Sequence, residues 1–113
     1  MPIKKDIKLW KQHRVSTAHL QHARQQLELP ETVPARVGEL LNWFDEYLDH
    51  NELELALDML EEIGGLIPCR GGYWRTLERA AESMDLQERV PYFREQFHVA
   101  LARFKDGGRE DAP

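Results

Sequence analysis

The stretch Val37-Gly38-Glu39-Leu40-Leu41-Asn42-Trp43-Phe44-Asp45-Glu46-Tyr47-Leu48-Asp49-His50-Asn51-Glu52-Leu53-Glu54-Leu55-Ala56-Leu57-Asp58-Met59-Leu60-Glu61-Glu62-Ile63 decides the fold. At 100° per residue, Val37, Leu40, Leu41, Phe44 and Leu48 fall on one side of a helix, and Glu39, Asn42, Asp45, Glu46 and Asp49 fall opposite. The pattern restarts beyond His50-Asn51, where Leu53, Ala56, Leu57, Leu60 and Ile63 form a second apolar stripe and Glu54, Asp58, Glu61 and Glu62 its far side. Two amphipathic helices joined by a tight turn make an αα-hairpin. In this reading Asn51 is the N-cap of the second helix with Glu54 three residues into it, and Gly64-Gly65 is its end.

The same stretch is chemically one-sided. Between Val37 and Cys69 there are nine acidic residues and no Lys or Arg. Residues 1–28 carry six basic residues against two acids, residues 29–69 ten acids against Arg36 alone, and residues 70–113 eight of each sign. The net charge of −5 therefore conceals a basic first quarter and an acidic middle. Threaded through so regular a hydrophobic pattern, the acids belong to the outside of a folded hairpin, a surface suited to a basic partner.

Outward from the hairpin the chain stays helical. Ile3, Ile7 and Trp10, then Leu20, Ala23 and Leu27, recur at helical spacing before Leu29-Pro30 stops the pattern. Val15-Ser16-Thr17 is the place where this first helix would break, with Ser16 capping a second piece. After a loop over Leu66 to Gly72, Tyr73 to Ser83 is a helix with Trp74, Leu77, Ala80, Ala81 and Met84 on its buried side. Asp85 and Glu88 read as a further cap, with Pro91 in the first turn of a last helix that carries Phe93, Phe97, Ala100, Leu101 and Phe104. Trp10 and Trp74 read as core. No segment has strand alternation, so the expected fold is all-α, a single-domain bundle of about five short helices over 1–106 with a flexible tail over 107–113.

The remaining chemistry-bearing residues point away from catalysis. His19 and His22 stand three apart beside His13, but no third ligand at a diagnostic interval accompanies them, and no metal is expected. Cys69 is the only cysteine. It lies beside Arg70, which would lower its pKa, yet no motif-placed histidine goes with it. There is no Walker sequence, no G-x-G-x-x-G and no G-x-S-x-G. The chain reads as a binder with no cofactor, not an enzyme. The N-terminal positive charges are followed by no apolar run, which sets the cytoplasm as the expected compartment with no membrane partner. Trp43 and Tyr47, four apart, are the aromatics placed to anchor a partner, Trp43 falling between the apolar stripe and the Glu39/Glu46 side. Leu55 has a similar boundary position.

One ordered series resembles a known family. It runs Tyr47-Leu48-Asp49-His50-Asn51-Glu52-Leu53-Glu54-Leu55-Ala56-Leu57-Asp58-Met59-Leu60, then a Pro-containing loop, then Tyr73-Trp74-Arg75-Thr76-Leu77 and Ala80-Ala81-Glu82-Ser83-Met84-Asp85-Leu86. It is similar to the small all-helical immunity proteins of bacterial polymorphic toxin and contact-dependent growth inhibition systems, the MafI-like and related families. Their phrase has Asn or Gly followed by Glu in the hairpin turn, then Leu-Ala before an acidic residue, and a later helix ending in Met-Gly-Leu. The likeness covers about 40 of the 113 residues; it departs at Asp85, where the family pattern has Gly, and does not reach the first 35 residues. It implies a non-catalytic inhibitor that binds a cognate toxin domain with a basic surface. A nuclease fits, because a protein that grips phosphate is basic there. The contact set expected on this reading is Trp43, Asp45, Glu46, Tyr47, Asp49, Glu54, Asp58, Glu61 and Glu62. The competing readings are a helical adaptor, or a nucleic-acid-associated regulator using Lys4, Lys5, Lys8, Lys11 and Arg14, which the acidic net charge disfavours.

Overall fold

The computed structural model describes the backbone from Ile3 to Asp111 and the side chains from Leu9 to Arg103. Five α-helices follow one another: α1 (Ile3–Gln25), α2 (Ala35–Asp49), α3 (Leu53–Leu66), α4 (Gly71–Ser83) and, after one 3-10 turn at Gln87–Arg89, α5 (Val90–Asp111). Among the described residues there is no strand, and no helix is long and apolar enough to cross a membrane. The all-α bundle is thus as the sequence pattern requires.

Packing follows the stripes. α2 lies mainly on α3, while α4 sits between α1 and α5 and α3 joins the two halves by touching α1 and α4. Val37, Leu40 and Phe44 of α2 and Leu53, Ala56, Leu57, Leu60 and Ile63 of α3 are all buried, in one core with Leu20, Tyr73, Trp74, Leu77 and Phe93. The buried Tyr73 hydroxyl donates to the Leu60 carbonyl at 2.6 Å, so the ring fills the core without orphaning its polar end.

The helix boundaries correct the sequence reading in several places. α1 runs unbroken through Val15-Ser16-Thr17. Ser16 is buried within it, and its hydroxyl meets the Ser83 hydroxyl at 2.7 Å while Gln12 Nε2 donates to the Ser83 carbonyl, so the small polar residues join α1 to α4. Trp10 is not core: it is 58% exposed, because α1 buries the side bearing Ser16, Leu20 and Ala23. The side chains of Ile3, Ile7 and Phe104 lie outside the described residues.

Gly64-Gly65 does not end α3, which continues to Leu66. Gly64 is needed for another reason. A Cβ there would stand 2.5 Å from Cη2 and 2.6 Å from Cζ2 of Trp74, closer than real carbon contacts allow, whereas one at Gly65 would meet nothing within 4 Å. Gly71 similarly begins α4 itself, ahead of the start expected at Tyr73. α5 passes through Gly107-Gly108 to Asp111, so the helical part extends into the expected 107–113 tail, and Ala112 and Pro113 lie outside the described residues. Glycine ends a helix by taking positive φ, and no described glycine does.

Two non-glycine residues do take positive φ, Asn51 at 58° and Asp85 at 59°. Neither caps the following helix: the position before α3 is Glu52 and that before the 3-10 turn is Leu86, and no side chain caps either. Both instead terminate the preceding helix. The Asn51 N–H reaches the Leu48 carbonyl and the Glu52 N–H the Tyr47 carbonyl, at 3.1 and 2.8 Å; Asp85 N–H to Glu82 and Leu86 N–H to Ala81, at 3.1 and 2.9 Å, repeat the arrangement. Each is a Schellman turn closed by a residue in the left-handed region.

Candidate protein-binding surface

α2 packs on α3 with its Val37–Leu40–Phe44 side, which leaves Trp43 on the shoulder of the helix, 45% exposed. One turn on, Tyr47 is half-buried, and the two rings stack with centroids 5.7 Å apart and 24° between planes. The hairpin is antiparallel, with Arg36 facing Glu62 at the far end and the Glu52 N–H on the Tyr47 carbonyl at the turn. That register sets Trp43 level with Leu55, itself 40% exposed. The stacked aromatic pair and Leu55 thus lie at the same height of the hairpin, with Trp43 and Leu55 each partly open to solvent. His50, at the end of α2, uses its Nδ1–H to reach the Glu46 carbonyl at 2.8 Å, closing the helix end beside this patch.

The carboxylates divide into two groups. Asp45, Glu46, Asp49 and Glu54 are exposed and form no ion pair with another described residue. The other three expected contact residues are occupied. Arg89, just before α5, binds Asp58 at 2.7 Å and Glu61 at 2.5 Å. Burial disfavours its charge, but Glu61 and Asp58 outweigh that and raise the guanidinium pKa. Arg36 binds Glu62 through Nε at 2.8 Å and also Glu39, and these hydrogen bonds raise its pKa as well. The open charge of the hairpin is concentrated around Trp43, Tyr47 and the turn, not along its whole length.

Arg36 and Arg89 were not legible as clamps. Arg36 stands three residues before Glu39, a helix-surface spacing that signals one pair, but its contact with Glu62 needs the hairpin register. Arg89 reaches across from an element 28 residues beyond Glu61. A third charged cluster was missed altogether. Glu78 of α4 is buried, its carboxylate held by Arg94 of α5 at 2.9 Å and by Arg75 at 3.5 Å. Its position four residues after Trp74 put it on the buried side of the helix, which was the available signal.

The candidates set aside for catalysis find structural surroundings. Cys69 is buried, and burial together with the nearby Glu28 carboxylate pushes its thiol up to about 11; Arg70 turns to Glu28 at 2.8 Å. That makes it a poor nucleophile at neutral pH. The His19 pKa is lowered, first by burial and then by the charges of Arg79 and His22, with Glu82 opposing. Among the described residues no group of three or more His, Cys, Asp or Glu side chains is arranged to hold a metal ion. Compared with known proteins, the chain matches no family model, no curated protein and no solved structure.

Proposed function

We propose that this chain is an immunity protein that neutralises a cognate bacterial toxin domain by direct binding, with the α2–α3 hairpin as the contact surface. One observation carries the reading: Trp43, exposed and stacked on the half-buried Tyr47, shares the turn end of the hairpin with four exposed carboxylates that no described cation neutralises. Stacking fixes both rings before binding, so a partner that buries them loses little side-chain freedom. The carboxylates draw in a basic surface and orient it. Asp58, Glu61 and Glu62 belong to the paired end of the hairpin, so the contact set narrows to Trp43, Asp45, Glu46, Tyr47, Asp49 and Glu54, to which the partly exposed Leu55 is added.

The resemblance to the immunity families supports the same reading through its backbone. The two places where their pattern calls for Asn or Gly and for Gly are Asn51 and Asp85, the two non-glycine residues of positive φ. Asp85 keeps the conformation that a glycine would take there, so the departure in sequence is not a departure in shape. The toxin's chemistry is left to its own surface; a nuclease is the class whose phosphate-gripping groove best matches these acids.

The test is co-expression with the toxin-like domain encoded beside this chain, scoring survival and then co-purification. Rescue with a stoichiometric complex that Trp43→Ala together with Tyr47→Ala dissolves is the expected result. Toxicity that this chain leaves untouched would remove the immunity reading, and rescue indifferent to the double substitution would remove the hairpin as its surface.

A further inference from the structure

α1 has a second apolar side that the bundle does not use. Its core side is Ser16, Leu20 and Ala23, yet Trp10 is 58% and Val15 48% exposed on other sides of the same helix. Trp10, Lys11, Arg14, Val15 and Ala18 line a shallow concavity of about 450 Å³. The Arg14 guanidinium lies 4.9 Å from the centre of the Trp10 ring, a cation stacked on an aromatic face and open to solvent. This patch is cationic and aromatic, where the hairpin patch is anionic and aromatic.

We propose that the outer side of α1 is a docking surface for the α2–α3 hairpin of a second copy of this chain. The choice of occupant follows from charge. Lys11 and Arg14 call for carboxylates around an apolar centre, and residues 1–28 as a whole carry more basic than acidic residues. An extended polyanion, whether an anionic bilayer or a nucleic acid, would also meet the acid-rich middle of the chain and its net charge of −5. A second copy carries the same net charge, but it can present a compact acidic patch to the cationic one and keep the rest of its acids at a distance. The turn end of the hairpin, where Trp43 and Tyr47 stack and Asp45, Glu46, Asp49 and Glu54 are exposed without an ion pair to another described residue, offers the complementary sign and an aromatic centre of the same kind. Two α1 patches facing one another would oppose like charges, so the contact is head-to-tail, with different surfaces on the two partners. The inference shares the hairpin patch with the proposed function but does not depend on a toxin.

Sedimentation velocity of the purified chain across a concentration series tests it. Self-association is expected, with a dissociation constant that rises at least about tenfold between roughly 20 mM and 500 mM salt, as expected for contacts set by exposed charge. Two double variants at exposed positions then define the topology: Trp10→Ser with Arg14→Glu removes the α1 patch, and Trp43→Ser with Glu46→Lys removes the hairpin patch. Each alone should stay monomeric, while their equimolar mixture should form dimers through the one intact pair of surfaces. Circular dichroism confirms that both variants remain folded. A wild-type chain that stays monomeric to millimolar concentration, or variants whose mixture stays monomeric, overturns the proposal. So does binding of the monomeric wild type to phosphatidylglycerol vesicles that Trp10→Ser with Arg14→Glu abolishes, which would give the patch to a bilayer.

Discussion

The two ends of the hairpin carry similar sequences and behave as opposite surfaces. At the end of α3, Asp58, Glu61 and Glu62 are held by Arg89 and Arg36, and Gly64 lies directly under the Trp74 indole. At the turn, Asp45, Glu46, Asp49 and Glu54 have no described cation, and Trp43 stands partly exposed, stacked on the half-buried Tyr47. One end has its carboxylates paired to the bundle, and the other keeps its carboxylates open to a partner. A run of acids in sequence is therefore not a run of acid on the surface until the cations from distant elements have been placed.

The largest effect expected from breaking this division is at the fastened end. Gly64→Ala puts a methyl group into the Trp74 ring, a buried and rigid neighbour, and should cost about 2–3 kcal/mol of stability by overpacking. Gly65→Ala, one residue on, meets open space and should gain about 0.5–1 kcal/mol through helix propensity. Urea unfolding of the pair measures both. Equal effects from the two substitutions would mean that Trp74 yields, and that α3 is not fixed there by close approach.

At the open end the effect moves from stability to binding. Trp43→Ala should weaken the proposed toxin complex by about 2 kcal/mol or more, roughly thirtyfold, as expected for an aromatic anchor. Because Trp43 is 45% exposed, it should leave the unfolding free energy within about 0.5 kcal/mol of wild type. Titration calorimetry beside urea unfolding separates the two, and a variant that loses stability instead of affinity would return Trp43 to the core.

Charge gives a finer version of the same contrast. Asp45→Lys, Glu46→Lys and Asp49→Lys together should slow association and flatten its salt dependence, with little change in folding. Arg89→Met should do the reverse. It leaves Asp58 and Glu61 without their clamp, and since both carboxylates keep partial access to water the loss should be about 1–2 kcal/mol, well short of that for a fully buried pair. If Arg89→Met instead strengthens toxin binding, the freed Asp58 and Glu61 belong to the contact surface and the division between the two ends is too sharp.

The hairpin was legible in sequence because both its helices put most of their strong apolar residues on one side; Val37, Leu40, Phe44, Leu53, Ala56, Leu57, Leu60 and Ile63 are all buried. The aromatic shoulder at Trp43 followed from the same wheel. α1 was not legible, because apolar residues on two sides of one helix obscure which side is core, and so Trp10 was assigned to the interior. The glycine pairs failed for a different reason. A glycine that stops a helix and a glycine that lets an indole approach look alike in one dimension, and only the position of Trp74 distinguishes Gly64 from Gly65. The acid surface failed where pairing was long-range: nothing near Asp58 announces Arg89.

The smallest expected effect concerns the two turns that close α2 and α4. Both use a non-glycine residue at positive φ, where a side chain with a Cβ is strained, although Asn and Asp tolerate it best. Asp85 has its side chain exposed at this position, so Asp85→Gly should relieve strain and gain about 0.5–1 kcal/mol despite the extra freedom of the unfolded chain. Asn51 differs, because its Oδ1 lies 3.1 Å from His13 Nε2 and ties the open end of the hairpin to α1. Asn51→Gly gives up that hydrogen bond, worth about 0.5–1 kcal/mol at an exposed site, in exchange for a similar relief, and should leave stability almost unchanged. Urea midpoints for the two variants, read against His13→Ala, separate backbone strain from the side-chain tie. A loss of stability at Asp85→Gly would show that its carboxylate holds something besides its own φ, and a clear gain at Asn51→Gly would show that the bond to His13 contributes nothing to holding the hairpin turn against α1.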